Sequence, residues 1–169
     1  FQDPCRSLSP RRTVGQSIVE GPMNFGLSGT EAQSRAENLM CVVGLAPEAL
    51  TRFPHQFSGG QRQRICIARA LAMEPRVLIA DEAVSALDVS VQAQVLRLLQ
   101  DVRERYDLAM LFITHDLRVA AQICDRIMVM QRGVVVEEGR TSEVYANPHH
   151  PYTRSLLNAA PGRETNFAQ

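Results

Sequence analysis

A short stretch in the first half of the chain has the residue types of a phosphate-binding site. Residues Phe57–Arg64 place a serine and two glycines directly before a helical pattern. The N–H groups at such a helix start lack partners within the helix, and together with the helix dipole they attract anions. A turn followed by an ordinary capped helix uses the same residue types, so this stretch alone leaves both interpretations open.

Two acids and a histidine stand where they could act on a bound phosphate. Asp81 and Glu82 directly follow the apolar run Val77–Ala80. His115 comes shortly after a second apolar run, Leu108–Ile113. If both runs are parallel strands, these side chains gather beyond the strands' carboxyl ends, where α/β sheets bind ligands. One acid would hold magnesium, the other would polarise water, and the histidine would contact phosphate. A solvated strand end and a helix cap are the plain alternatives.

Hydrophobic spacing predicts the elements that would position these groups. Residues 1–75 are expected to form loops and helices, and apolar residues recur at helical spacing between Ala32 and Val43. Thr30 and Gln33 have the spacing of a capping box for that helix, and Gly44 is suited to end it. The first part of the chain is therefore predicted to be mainly helical.

A further helix in this part, over Gln61–Met73, is expected to stop before Pro75. After Pro75, strand and helix patterns alternate. The run Val77–Ala80 is wholly apolar, which predicts a buried parallel strand. An amphipathic helix follows, with Asp88 or Ser90 as its cap. This order indicates an α/β fold with a parallel sheet.

The last third of the chain continues with smaller elements. After the strand that ends at Ile113, a short helix to about Ile123 and a hairpin around Gln131–Gly133 are predicted. Residues 141–169 form a polar, proline-marked tail with a short helix near Tyr152–Ala159.

Composition excludes several classes of function. The 18 basic and 18 acidic residues balance, so the chain has no net positive charge that would favour nucleic-acid binding in general. No apolar run reaches the roughly 18 residues that a membrane-spanning helix needs. The four cysteines form no CxxC pair, so zinc and iron–sulfur sites are not favoured.

A phosphate-binding loop is missing from the sequence. No GxxxxGK[ST] motif occurs, and the chain contains no lysine at all. The first residues, from Phe1 onward, read as the interior of a domain. We therefore expect the chain to be a fragment whose N-terminal part lies outside it.

Five motifs in a fixed order resemble those of ABC transporter ATPase subunits. They are the Q-loop Phe1–Asp3, the signature motif Phe57–Gln61, the Walker B motif with its catalytic glutamate Leu78–Glu82, the D-loop Ser85–Asp88 and the H-loop Ile113–Asp116. The resemblance covers nearly the whole chain. It implies a partial P-loop NTPase domain with a parallel sheet, a helical signature subdomain and a C-terminal tail. The corresponding divisions are residues 1–75 for the Q-loop and signature subdomain, 76–139 for the Walker B, D-loop and H-loop part, and 140–169 for the tail.

The same resemblance implies roles in ATP hydrolysis with Mg²⁺. Gln2 would contact magnesium or the attacking water and sense the membrane subunit, and Asp81 would hold the magnesium shell. Glu82 would polarise the attacking water, and His115 would contact the γ-phosphate of ATP.

Other residues would serve the ATP of a second subunit. The signature residues would hold the γ-phosphate of ATP bound by the opposite ATPase domain in a head-to-tail dimer, while two D-loop residues would lie at the dimer interface. The signature residues are Ser58, Gly59, Gly60 and Gln61, and the D-loop residues are Ser85 and Asp88. Arg62 and Arg64 either support the signature helix or are solvated on its outer face.

Further segments resemble the dipeptide/oligopeptide importer branch of the family, above all the tail Pro148–Arg154. Ala83 and Val84 stand where many members have Pro-Thr, and with Ile65–Leu71 this variant is similar to glutathione importer ATPases. The branch implies import of peptides or peptide-like solutes, with permease subunits and an extracytoplasmic solute-binding protein as partners. It also implies a peripheral location at the cytoplasmic face of the bacterial inner membrane.

Several alternatives remain open at this stage. A non-transport ABC ATPase of DNA repair, chromosome organisation or translation shares the signature and Walker B motifs, although the tail argues against it. The chain by itself is expected to be inactive because its phosphate-binding loop, Walker A, is absent. Glutathione, dipeptides, oligopeptides and nickel all remain candidate substrates, and the number of ATPase halves in the parent protein is open.

Overall fold

The computed structural model describes residues 7–159. They belong to two compact units, divided in sequence between Ile113 and Thr114. The predicted Q-loop residue Gln2 lies outside the described residues. None of the helices in the described part is both long and apolar enough to cross a membrane.

Between residues 13 and 72, three helices and two short 3₁₀ turns form the first part of the first unit. Helix α1 spans Val14–Asn24, α2 spans Gly29–Val42 and α3 spans Gly59–Leu71. The 3₁₀ turns cover Pro47–Thr51 and Pro54–Gln56. The three helices pack against one another around a core of fully buried side chains, which includes Val14, Ile18, Met40, Val43, Ile65 and Ile67. The predicted helical character of this part is confirmed.

The start of α2 differs from the prediction. Ser28 Oγ accepts a hydrogen bond from the Glu31 N–H (3.3 Å), and the Glu31 carboxylate accepts one from the Ser28 N–H (3.1 Å). The predicted Thr30–Gln33 capping box is therefore wrong. Both pairs have the required spacing, but a carboxylate near a helix N-terminus is favoured by the helix dipole, whereas a neutral glutamine is not.

The end of α2 matches the prediction. Gly44 adopts φ +71°, the left-handed conformation that glycine accommodates without a Cβ penalty. The Leu45 N–H donates to the Met40 carbonyl (2.8 Å), which satisfies one of the open carbonyls at the helix end. Gly44 therefore ends the helix.

A two-stranded parallel sheet completes the first unit. Strand β1 spans Val77–Asp81, helix α4 spans Val89–Arg105 and strand β2 spans Ala109–Ile113. In the register of the two strands, Asp81 pairs with Ile113. Asp88 is the cap of α4, because its carboxylate accepts the Val91 N–H (3.0 Å). The predicted strand–helix–strand order is confirmed.

Strand β1 is buried on one face only. Leu78 and Ala80 are buried, whereas Val77 and Ile79 are 56% and 50% exposed. The predicted parallel strand is confirmed, but within residues 7–159 it is half-buried and not wholly buried, because its side chains alternate between a covered and an exposed face.

The described residues of the second unit, 114–159, form a hairpin and three short helices. Helix α5 spans Leu117–Ile123, strand β3 Arg126–Gln131 and strand β4 Val134–Arg140, and they are followed by α6 over Thr141–Ala146 and α7 over Pro151–Ala159. The two strands are antiparallel, with an irregular register between Val129 and Met130. Both turn residues between them have positive φ, Arg132 at 51° and Gly133 at 82°, as a type I′ hairpin turn requires. The predicted hairpin is confirmed.

Candidate nucleotide-binding residues

The start of α3 leaves two glycine amides available to an anion. Ser58 Oγ accepts the Gln61 N–H (3.3 Å), and Gln61 Oε1 accepts the Ser58 N–H (3.0 Å), so these two residues form a capping box. The Arg62 N–H bonds to the Ser58 carbonyl (2.9 Å). Within residues 7–159, no hydrogen bond is made by the N–H of Gly59 or Gly60. The capping box therefore holds the helix start in shape while two adjacent N–H donors keep their bonding capacity.

The second of these glycines is required by packing. A Cβ on Gly60 would lie 2.3 Å from Cγ1 of Val91 in the first turn of α4, closer than real Cβ atoms come to another atom. A Cβ on Gly59 would only touch Leu87 at 3.8 Å, an ordinary contact. The starts of α3 and α4 therefore approach each other closely at Gly60, and this approach fixes one helix start against the other.

Arg64 joins α3 to two other helices by hydrogen bonds. Its guanidinium donates to the Val43 carbonyl at the end of α2 (3.2 Å) and to Gln94 Oε1 on α4 (2.8 Å). The sequence left open whether Arg64 supports this helix or is solvated on its outer face, and these two bonds show that it supports the helix. Arg62 has a buried Nε without a hydrogen-bond partner among the described residues, so it provides no comparable bridge through that atom.

Asp81 and Glu82 lie at the carboxyl end of β1. Asp81 is the last residue of the strand and is partly buried. Glu82 is exposed and adopts φ +48°, in the left-handed region that non-glycine residues rarely occupy. Two acids thus stand side by side at a strand end, where a ligand of an α/β sheet is expected.

The backbone of Glu82 is held on both sides. Its N–H donates to the Ile113 carbonyl at the end of β2 (2.9 Å). Its carbonyl accepts the Ser85 N–H (3.2 Å) and the Ser85 hydroxyl (3.0 Å). Ala83 and Val84, the two residues that depart from the common Pro-Thr pattern, are both buried at 3% exposure. Buried neighbours and three hydrogen bonds therefore maintain an unfavourable conformation at an exposed carboxylate.

His115 belongs to the second unit and is not the cap of α5. The cap is Asp116, whose carboxylate accepts the Arg118 N–H (2.9 Å) and binds the Arg118 guanidinium (3.0 Å). Hydrogen bonding to Arg118 holds the pKa of Asp116 below its usual value. Thr114 Oγ1 accepts the Asp116 N–H (3.0 Å), so the neighbours of His115 on either side are joined in a local turn. The helix-cap alternative for His115 is excluded.

The structure brings some of the predicted residues together within the first unit. Ser58 and Gly59 start one helix and Asp88 caps another that packs against it. Among residues 7–159, no three His, Cys, Asp or Glu side chains gather as a metal-binding cluster. The proximity of His115 to Glu82 stays a prediction, as do the roles of all these residues toward ATP.

Two features escaped the sequence reasoning. Gln94 and Val91 lie on the helix after the D-loop, and their contacts with Arg64 and Gly60 join residues about thirty positions apart. No local pattern signals such pairs. The Thr114–Asp116 turn does have a signal, because a threonine two residues before an aspartate at a helix start favours side-chain bonding to the backbone.

Two sequence families match the chain. The family described as "ABC transporter" matches residues 1–85, and "Oligopeptide/dipeptide transporter, C-terminal region" matches residues 136–166. The first match includes the residues that start α3 and end β1.

Curated relatives support the same assignment. The chain is 54% identical over 165 residues to the glutathione import ATP-binding protein GsiA of Escherichia coli K12, and equally to that of Shigella flexneri. Each alignment covers 97% of this chain and 26% of the relative. The chain thus spans about a quarter of the length of these relatives.

A solved structure shares the fold. The structure of cbiO1 from Clostridium perfringens, described as part of the ABC transporter complex cbiONQ, superposes with a TM-score of 0.77 at 32% sequence identity. The superposition covers 86% of this chain and 57% of cbiO1. The predicted α/β fold of an ABC ATPase, present here in part, is confirmed. With the ordered motifs, the family match over residues 1–85 and this fold, the chain belongs to the ABC transporter family.

Proposed function

We propose that this chain is part of the ATP-binding subunit that powers an ABC importer of peptides or peptide-like solutes, with glutathione as the leading substrate. Two observations support the substrate class: the oligopeptide-type match at residues 136–166 and the 54% identity to GsiA, whose name states glutathione import. Dipeptides, oligopeptides and nickel are the other substrates that the importer branch suggests.

The observation that carries the proposal is the start of α3. Ser58 and Gln61 satisfy each other, and the N–H groups of Gly59 and Gly60 make no hydrogen bond within residues 7–159. In the proposed head-to-tail dimer, these donors bind the γ-phosphate of ATP held by the opposite ATPase domain. Donors that are already oriented need no reorganisation when negative charge develops on the phosphate.

The residues at the strand ends would serve the chain's own ATP. Asp81 fits Mg²⁺, because a carboxylate oxygen at a strand end can join a shell that water and phosphate oxygens otherwise fill. Magnesium, when bound, neutralises phosphate charge. Glu82 is exposed beyond the strand and would accept a proton from the attacking water, and His115 would donate to the γ-phosphate. Gln2 would contact the magnesium ion or the attacking water.

The D-loop residues and the tail would connect the ATP sites to partners. Asp88 and Ser85 would lie near the second ATPase domain, and closure of the dimer would move the permease subunits between their two access states. A solute-binding protein outside the membrane would deliver the substrate. We place the chain peripherally at the cytoplasmic face of the bacterial inner membrane, and keep residues 1–75, 76–139 and 140–169 as its functional divisions.

Hydrolysis requires a phosphate-binding loop that the 169 residues do not contain. The 169-residue chain by itself should neither bind ATP tightly nor hydrolyse it. Tests of catalysis therefore need a polypeptide with a Walker A loop, such as a chimera in which this chain replaces the matching 165-residue segment of E. coli K12 GsiA.

The substitution Glu82→Gln in this chimera tests the proposal. ATP binding should be retained, while turnover falls by about 100-fold or more, since the amide cannot accept the proton. ATP binding is measured by equilibrium dialysis, and turnover by phosphate release. Glu104→Gln on the exposed end of α4 is the matched control and should leave both unchanged.

Two results would contradict the proposal. Wild-type turnover of the Glu82→Gln chimera would show that Glu82 is not the base. Salt-sensitive nucleic-acid binding in a filter assay would favour a non-transport ABC ATPase instead. Glutathione uptake by cells that carry the chimera with its permease tests the substrate, and a dipeptide competitor separates the two peptide classes.

A further inference from the structure

Helix α6 at the start of the C-terminal tail holds both ends of α5. The Tyr145 hydroxyl donates to the carbonyl of Leu117, the first residue of α5. The Thr141 hydroxyl donates to the carbonyl of Cys124 directly after α5 (2.6 Å), and the Thr141 N–H donates to the Asp125 carbonyl (3.0 Å). A seven-residue helix has few internal hydrogen bonds, so these contacts contribute much of what fixes its position.

Tyr145 is half-buried, and its hydroxyl keeps the proton that it donates to α5. Burial, together with unfavourable charge interaction with Cys124 and Asp116, raises the pKa of Tyr145 to about 12. The hydroxyl therefore stays protonated and keeps donating throughout the physiological range. Thr141 and Val144 on the same helix are buried at 9% and 5% exposure, which anchors α6 to the rest of the unit.

The remainder of the tail is tied to the same segment. Strand β4 leads directly into α6, and its Glu137 carboxylate accepts the N–H groups of His149 (2.7 Å) and His150 (3.0 Å) just before α7. The pKa of Glu137 lies below its usual value: burial raises it, but hydrogen bonds from the N–H groups of His149 and His150 are among the effects that lower it. The turn before α7, strand β4 and helix α6 thus form a connected brace.

The brace reaches α5 next to His115. Leu117, which accepts the Tyr145 hydroxyl, is two residues after His115. The residue between them, Asp116, is held by Thr114 and caps α5. A shift of the first turn of α5 would therefore carry the backbone of His115 with it.

We propose that Tyr145 is a positioning residue for His115, and that the C-terminal tail controls ATP hydrolysis by holding the first turn of α5. The inference rests on the proposed function, because it assumes that His115 contacts the γ-phosphate. It goes further in giving the oligopeptide-type tail a task in the hydrolysis step. An event that displaces α6 or α7, such as contact with a partner subunit, would slow hydrolysis without weakening ATP binding.

The test compares Tyr145→Phe with Tyr152→Phe in the GsiA chimera. Both substitutions remove one hydroxyl from the tail, but the Tyr152 hydroxyl makes no hydrogen bond within residues 7–159. Tyr145→Phe should lower kcat by about threefold to tenfold with KM for ATP unchanged, the effect of one hydrogen bond on a positioned group. Tyr152→Phe should leave both parameters unchanged.

A double-mutant cycle with His115→Gln separates positioning from general structural damage. If Tyr145 acts through His115, the double variant has the same single-turnover rate as His115→Gln alone. Multiplicative losses in the double variant, or an unchanged kcat for Tyr145→Phe, overturn the inference. Should Tyr145→Phe fail to fold, Thr141→Val removes the other side-chain contact of α6, with Thr141→Ser as the variant that rescues it.

Failure of the inference can be told apart from failure of the proposed function. If His115→Gln keeps wild-type turnover, the role proposed for His115 is wrong and the inference fails with it. If His115→Gln is slow while Tyr145→Phe hydrolyses ATP like the wild type, only the inference fails.

Discussion

The starts of α3 and α5 are both predicted to meet phosphate, yet they are held in different ways. At the start of α3 the cap is made of neutral groups, and the helix is fixed by distant residues: Val91 closes on Gly60, and Gln94 binds Arg64. At the start of α5 the cap is the ionised Asp116, and the fixing contacts are a local turn and the tail residue Tyr145. The first arrangement depends on close packing at Gly60 and on a neutral cap, whereas the second depends on charge and on a peripheral segment. The signature region should therefore respond to packing changes and the H-loop region to pH and to the tail.

The largest effect on this comparison is expected from Gly60→Ala. The new methyl would lie 2.3 Å from Val91 Cγ1, and overpacking of this kind costs about 1–3 kcal/mol in the free energy of unfolding. Gly59→Ala, whose methyl would make only an ordinary contact with Leu87, should be neutral or stabilising by up to about 1 kcal/mol through helix propensity. Urea denaturation of the two variants measures the difference.

A compensating substitution checks the cause. In a Val91→Ala background, Gly60→Ala should cost much less than it does with Val91 present, because the atom that the new methyl would meet is gone. If Gly60→Ala is as stable as Gly59→Ala, the α3 start is not held by packing and the contrast with α5 is lost.

A smaller effect is expected from removal of the Arg64 bridge. Arg64→Met keeps a long apolar side chain but loses the bonds to Val43 and Gln94, with a cost of about 1–2 kcal/mol. Gln94→Leu should cost less, because the bond from Arg64 to Val43 remains. A double-mutant cycle by urea denaturation should give a coupling free energy between Arg64 and Gln94. Strictly additive losses would show that the bond between these side chains does not stabilise α3.

The smallest effect concerns pH at the start of α5. Hydrogen bonding to Arg118 is the main reason why the pKa of Asp116 lies below the ordinary value of an aspartate. Because the folded-state pKa is the lower one, this stabilisation is complete above the unfolded pKa and is lost as the pH falls through the folded pKa. Amide hydrogen exchange should therefore speed up at Arg118 below about pH 4, once the intrinsic pH dependence of exchange is subtracted.

The start of α3 serves as the internal reference in that measurement. Its cap has no titratable group, so Gln61 should keep its protection over the same pH range. Asp116→Asn keeps an acceptor for the cap but cannot titrate, and should abolish the pH dependence at Arg118. Equal acid sensitivity of both helix starts would show that the charged cap does not distinguish them.

The sequence predicted local features well because they depend on neighbours in the chain. Gly44 ends a helix, Asp88 caps one, and the turn Arg132–Gly133 makes a hairpin, each from residue types within a few positions. Where two local signals competed, as with Ser28–Glu31 and Thr30–Gln33, spacing alone could not choose, and the charge on Glu31 accounts for the outcome.

Other features depend on contacts that no window of sequence contains. The one-sided burial of β1 depends on residues distant in the chain. The lack of room for a side chain at Gly60 depends on where α4 approaches α3. The tail was identified by its motif, but its bond from Tyr145 to Leu117 joins residues that share no pattern. The functional assignment came mainly from the order of the motifs. That order is characteristic of a protein family and does not follow from the helix or strand propensities of the residues.

The left-handed backbone at Glu82 has a consequence for how such a chain can evolve. A non-glycine residue at φ +48° costs about 1–2 kcal/mol relative to an ordinary conformation, so folding alone would favour glycine there. Selection for a stable fold and selection for the proposed reaction therefore oppose each other at one position. The buried Ala83 and Val84 next to it belong to the packing that maintains this conformation against its cost.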